Sequence, residues 1–407
     1  IPHRHFSIAA VLAIIIGLVC SKALISIGMF TLVGIGLLNY NIAQNFKNWL
    51  RDIPSLLFLI FFLAYAVSGF WSADTAAWAE RCRIKLPFIA VPFGFASVRP
   101  FRKNLVYILL FFYIAVITLA TAIMLGNYLL HYQTYNALLM QGQPIPAPMN
   151  EHIRFSLEMA FAIICCCYLF MEKGIWQKRS QKAVLICIVL FLFICIHVFA
   201  VRSGIFTLYA ALFGMILYFA FQKKHLLKST VAVVMLAVVA ITAANTIPSL
   251  KNRIGYFKYE LDLIFKNEWK PGHSDAQRLA SIRFGLEVAK ENWLMGVGAG
   301  DIKTAMTEKY RQYFNEEEIA VMTPHNQFVY VGACLGVFGL LLFTIAFFYP
   351  LFIPAMHSNL LFVGFLITIS LSLLTEHTFE IQIGTAFYML FIMLFLNQRK
   401  LNSPAYA

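Results

Sequence analysis

"TPHNQFVYVGACLGVFGLLLF", residues 323–343, sets a proline, a histidine and an asparagine directly before an apolar run. From Gln327 to Tyr349 no side chain is charged. A helix of that length, rising about 1.5 Å per residue, crosses a hydrocarbon core about 30 Å thick. His325 and Asn326 then stand at the doorway of a membrane span. An imidazole there is costly if it strays into lipid, and a surface loop has no need of one.

The same reading repeats along the chain. Of 407 residues, 60% are hydrophobic and 13% charged, with a mean hydropathy of +0.74. Soluble domains carry about 25% charged residues, so the composition excludes a soluble enzyme and points to an all-α, polytopic membrane protein. Runs near 20 apolar residues fall at about twelve places: 6–20, 23–39, 54–71, 84–98, 104–130, 155–171, 183–201, 204–221, 229–247, 327–349, 351–373 and 381–397. Segment 84–98 is short and holds Pro87 and Pro92, which predicts a kinked or partial span. No small-residue cleavage site follows the first run, so no cleavable leader is expected. The eight cysteines lack metal-ligand spacing such as CxxC, and most lie within apolar runs as small packing residues.

The net charge of +13 is informative through its distribution. With the N-terminus inside, the inner loops carry Lys47 and Arg51; Arg99, Arg102 and Lys103; Lys173, Lys178, Arg179 and Lys182; and Lys223, Lys224 and Lys228. Arg399 and Lys400 add to the tail. Short outer segments carry fewer basic residues, so both termini are expected in the cytoplasm. The charge follows the loops, and no nucleic-acid partner is expected. Residues 248–326 form one long polar connection on the outer side, and long loops translocate regardless of charge. The chain therefore divides into a membrane domain (1–247, nine spans), a loop domain (248–326), and a second membrane part (327–407, three spans and a cytoplasmic tail).

Within the loop, "DAQRLASIRFGLEVAKENWL" (275–294) places Leu279, Ile282, Leu286 and Ala289 on one stripe, an amphipathic helix capped by Ser274 or Asp275. Gly296, Gly298 and Gly300 end it. A second helix is expected over 302–314, followed by an acidic run at Glu316–Glu318. A further outer segment, 131–153, is Pro-rich and reads as irregular.

This topology gathers polar groups at the outer surface: Arg202 between two spans, Arg278 and Arg283 on the loop helix, His325 and Asn326 before the tenth span, Arg154 opening the sixth, and Glu376 and Glu380 between the last two. A guanidinium offers a rigid fork of donors that suits phosphate oxygens two at a time. An imidazole titrating near about 6.5 suits a general base. Each residue also has a plain reading. Arg202 would snorkel to headgroups, Arg283 would lie on a solvated helix face, His325 would bond to backbone, and the two glutamates would be solvated turn residues. His197 and Glu158, inside spans, read equally as structural hydrogen-bonding groups or as a proton path. The GxGxG at 296–300 follows a helix rather than a strand and is no dinucleotide fingerprint.

Three stretches in this order, "VRSG" after the seventh span, "RLASIRFGLEVAKENWLMGVGAGD" in the loop and "HNQFVYVGACLGVFGL" entering the tenth span, resemble the O-antigen ligase and polymerase superfamily. The resemblance covers most of the chain from about residue 54 onward. It implies a GT-C-like membrane glycosyltransferase at the periplasmic face of the bacterial inner membrane. The implied reaction moves a glycan from undecaprenyl diphosphate to an acceptor hydroxyl, with lipid A–core as acceptor and with neither metal nor cofactor. By the same resemblance Arg202 and Arg278 hold the donor diphosphate and His325 is the base. Ile282 stands where the family often carries an aromatic residue, and Arg283 has no firm counterpart.

Other readings stay open at this stage. An O-antigen polymerase or a protein O-oligosaccharyltransferase would use the same donor site. A secondary transporter of about twelve spans is a reading of another class, but such proteins tend to show two matching halves, and the one large insertion after span nine breaks that spacing.

Overall fold

In lipid every backbone N–H and C=O must find its partner within the protein, so long apolar runs form helices. A computed structural model describes residues 2–172, 178–222, 225–266, 274–314 and 321–402, and among these residues there is no strand. In chain order the helices are α1 (Pro2–Cys20), α2 (Lys22–Leu37), α3 (Ile42–Arg51), α4 (Ile53–Val67), α5 (Thr75–Lys85), α6 (Pro87–Ala96) and α7 (Lys103–Leu130). Next come α8 (Tyr132–Met140), α9 (His152–Met171), α10 (Arg179–Val198), α11 (Arg202–Gln222), α12 (Leu226–Thr246) and α13 (Pro248–Phe265). The last are α14 (Ser274–Glu291), α15 (Ile302–Phe314), α16 (Gln327–Phe348), α17 (Pro354–His357), α18 (Leu360–Thr375) and α19 (Gln382–Arg399).

Among the described residues seven helices are long and apolar enough to cross a membrane, or eight if α2 and α3, bent by 114°, count as one broken span. The other apolar runs form shorter helices, such as Arg4–Cys20 and Leu360–Thr375. The 84–98 run divides at Leu86, with Pro87 opening α6, where its missing N–H is no loss. Helix α9 is the axis of the bundle: 83% of its apolar window is buried, against 6% for α12 at the periphery. It packs against α7, α10, α11 and α18. Helix α19 is buried along nearly its whole length and lies against α1 and α6.

Residues 293–300 are stitched into the membrane bundle. Helix α16 is broken at Gly336, whose φ of 64° and ψ of −165° are accessible to glycine alone. The break frees backbone groups that the loop then satisfies: Val297 and Gly298 donate to the carbonyls of Ala333 and Cys334, each at 2.9 Å, and Val337 donates to Trp293 at 2.8 Å. A Cβ on Gly336 would lie 2.3 Å from the Leu294 oxygen. Asp301 accepts the N–H groups of Ala73 and Asp74 at 2.7 and 2.9 Å, which fastens the same loop beside the end of α4.

Two sequence expectations are corrected here. Helix α14 forms over Ser274–Glu291, three residues short of the expected end at 294, and it buries Ala276, Ala280, Ser281, Phe284 and Val288, while Leu279 and Leu286 are 56% and 54% exposed. Small residues win the inner face because α14 lies close on α16, where Gly285 meets Pro324 and Val329. Segment 131–153 is not wholly irregular, since it contains α8 before its proline-rich turn. The 302–314 helix appears as α15. Glu316–Glu318, Lys173, Lys223 and Lys224 lie outside the described residues.

Candidate functional site

Two of the predicted arginines open helices that approach each other closely. Arg202 is the first residue of α11 and Arg154 lies in the first turn of α9. The glycine of "VRSG" allows this approach, since a Cβ on Gly204 would sit 2.4 Å from the Ser156 Cβ. Both helices start after non-glycine residues held in the left-handed region: Met149 and Asn150 (φ 56° and 59°) before α9, and Ala200 (φ 54°) before α11. Such conformations cost about 1–2 kcal/mol each and collect where a fold must aim particular side chains.

The first turn of α14 completes the group. Arg202 grips Asp275 with both terminal nitrogens, at 2.6 and 2.5 Å. Burial pushes the Asp275 carboxyl up, yet the Arg202 hydrogen bonds and charge hold it below its ordinary value. One turn on, Arg278 pairs with Glu376 at 3.0 Å, and the other Glu376 oxygen is 3.9 Å from His325 Nε2. A narrow cavity joins the beginnings of α9, α11 and α14, lined by His152, Arg202, Arg253 and Arg278 among others. Helix N-termini and guanidinium groups both favour an anion there.

His325 is oriented by its own surroundings. Its Nδ1 lies 3.1 Å from the Thr323 carbonyl, an oxygen that can only accept. Nδ1 therefore carries the proton and Nε2 the lone pair. The Ser281 hydroxyl accepts the His325 backbone N–H at 3.1 Å and donates to the Arg278 carbonyl at 2.7 Å, which ties the histidine to α14. Burial lowers the imidazole's pKa below its ordinary value; Glu376 opposes this and Arg278 adds to it.

Behind this group lies a buried polar brace. Glu380 accepts from Lys85 at 2.6 Å, Gln327 at 2.8 Å and Tyr65 at 3.3 Å. Gln327 in turn accepts the Phe379 N–H at 2.8 Å. The turn carrying Glu376 is thereby locked to the start of α16, two residues beyond His325. Glu376 and Glu380 are 1% and 3% exposed, which corrects the plain reading of both as solvated turn residues.

Of the predicted residues, the fold unites Arg202, Arg278, His325 and Glu376, with Arg154 adjoining. Arg283 is turned away, pairing with Glu287 at 3.3 Å and standing over Tyr313. Asn326 caps α16 by accepting from Phe328 and Val329, and donates to the Leu374 carbonyl. His197 is held by Tyr209 and the Phe193 carbonyl, as a structural group would be. Sequence reasoning missed Arg253, which donates to the Gly142 carbonyl. Burial, then the Arg202 charge, lowers its pKa to about 10. It also missed Ser281, for which the one legible signal was its position three residues after Arg278. His325, Glu376 and His377 each place one possible metal-ligand atom within 4.8 Å of the others. Glu376 is already paired with Arg278, however, and the Arg154 charge reaches both imidazoles, so the local field favours an anion over a cation.

No curated protein matches the chain. Residues 187–344, which run from α10 into α16 and include Arg202, Arg253, Arg278 and His325, match the family model described as O-antigen ligase. That match makes this part of the chain, with the cavity residues Arg202, Arg253 and Arg278 that it contributes, similar to the O-antigen ligase family.

Proposed function

We propose that the protein transfers a glycan from undecaprenyl diphosphate to a hydroxyl of lipid A–core at the periplasmic face of the inner membrane. The observation that carries this reading is that Arg202, paired with Asp275, and Arg278, linked through Glu376 to His325, line one cavity. In this reading the charge bias of the loops puts both termini in the cytoplasm, and 248–326 faces the periplasm. The shorter apolar helices then complete about twelve crossings.

The chemistry is a single displacement. The acceptor oxygen attacks the anomeric carbon while the bond from that carbon to the diphosphate oxygen breaks, and the electron pair leaves with undecaprenyl diphosphate. The hydroxyl proton passes to Nε2 of His325, where Glu376 stabilises the imidazolium. One displacement inverts the anomeric configuration. Negative charge grows on the leaving diphosphate in the transition state, so arginines held in place beforehand stabilise it more than the ground state. They do the work that a divalent cation does elsewhere.

The test is reconstitution with a polyprenyl-diphosphate glycan and purified lipid A–core in excess chelator. Transfer with inverted linkage is the expected result. Transfer onto a second lipid-linked repeat or onto a protein, with lipid A–core untouched, would replace the ligase reading by a polymerase or protein-glycosylating one.

A further inference from the structure

Arg154 is a buried guanidinium whose Nε–Nη2 edge meets no acceptor among the described residues. The residue is 7% exposed, and among the described residues neither its Nε nor its Nη2 has a hydrogen-bond partner. Its third nitrogen, Nη1, lies 3.6 Å from Glu151, an ion pair too long for a hydrogen bond. Nε and Nη2 together form the side-on fork that meets two oxygens of a carboxylate or phosphate in parallel. Buried donors left unmet are rare and costly, and this fork costs the protein stability while it stays empty.

The surrounding arginines are differently placed. Asp275 occupies both terminal nitrogens of Arg202, Glu376 pairs with Arg278, and Arg253 is engaged by the Gly142 carbonyl. An incoming anion has to compete with a carboxylate at Arg202 and at Arg278, but not at the Arg154 fork. His152 and Ile153, the two residues before Arg154, line the cavity that Arg202, Arg253 and Arg278 also line. The Arg154 charge is felt by His152 at that cavity and by His325 and His377. Arg154 thus directly follows two cavity-lining residues, and its charge reaches the imidazoles.

We propose that the Nε–Nη2 edge of Arg154 binds a phosphoryl group of a diphosphate, making it a third substrate-binding arginine beside Arg202 and Arg278. The proposal rests on the donor reading above and deepens it. It assigns the open contact to a residue on α9, outside the segment that matches the family.

The experiment uses the full chain in lipid nanodiscs, titrated with inorganic pyrophosphate and separately with orthophosphate, following both melting temperature and binding heat. Pyrophosphate raises the wild-type melting temperature, and orthophosphate at the same concentration does so far less. Arg154→Met fills the site with an apolar chain of similar length. Its ligand-free form melts at or above wild type, while pyrophosphate no longer shifts it. Arg154→Lys keeps the charge but loses the fork, and weakens pyrophosphate binding by about tenfold to a hundredfold. Unchanged pyrophosphate affinity in both variants, with a lower melting temperature, makes Arg154 a structural residue and overturns the proposal. Orthophosphate binding as tightly as pyrophosphate overturns it too, in favour of a single headgroup phosphate. If Arg202→Lys and Arg278→Lys weaken pyrophosphate binding and the Arg154 variants do not, this inference falls and the donor reading stands. Arg154-dependent pyrophosphate binding without any glycan transfer leaves the inference standing and removes the donor reading.

Discussion

At the residue scale, His325 combines a fixed tautomer with a depressed pKa. Its Nδ1 proton is directed at Thr323, and burial keeps the ring neutral below its ordinary titration range. In the proposed reaction this base is therefore ready at neutral pH and is lost as pH falls. The acid limb of kcat should lie below about 6.5, the unperturbed value for histidine. Glu376→Gln should move that limb lower still, because Glu376 opposes the downward shift. A limb at or above the unperturbed value would assign the base elsewhere. His325→Ala should reduce transfer by about 10²–10⁴-fold with donor binding nearly intact, as read by single-turnover kinetics beside pyrophosphate titration. The sequence made Arg202, Arg278 and His325 legible because their flanking motifs are distinctive. It did not reveal that Asp275 and Glu376 already hold the two arginines, since a carboxylate 73 or 98 residues away in the chain carries no local signal. Nor did it single out Arg253, one of several basic residues along an amphipathic helix.

At the scale of the element, α14 shows where periodicity misleads. Larger side chains at 279, 282 and 286 make the more obvious stripe, yet the face with Ala276, Ala280 and Ser281 is buried because it lets the helix come close to α16. Phe284→Ala should cost about 3–5 kcal/mol, whereas Leu286→Ala should stay within about 0.5 kcal/mol; melting of the purified protein in detergent separates the two. The broken helix α16 was equally hidden, because "GACLGVFGL" reads as an uninterrupted apolar run. Gly336→Ala should destabilise by at least about 1–3 kcal/mol, since the backbone angles exclude a side chain and the Leu294 oxygen occupies its place. A melting temperature equal to wild type would mean that α16 can straighten.

At the scale of the whole molecule, lipid-grade runs and the basic bias of alternate loops made the all-helical membrane fold legible. They said less about which helices form the middle. Helix α9 is central and α12 peripheral although both are similarly apolar, because lipid and protein interior accept the same side chains. Orientation can be measured directly. In a background without native cysteines, a membrane-impermeant thiol reagent should label Thr304→Cys in intact cells and Lys228→Cys after permeabilisation alone. Reversed labelling would invert the topology. The stitch between residues 293–298 and the broken span has a further consequence for inheritance. Excising the loop would strip the Ala333 and Cys334 carbonyls and the Val337 amide of their partners within a nonpolar medium, at several kcal/mol apiece. Shuffling this segment between relatives therefore has to carry the adjoining half-helix along, and a crossover placed between the two would yield a chain that the cell's quality control degrades.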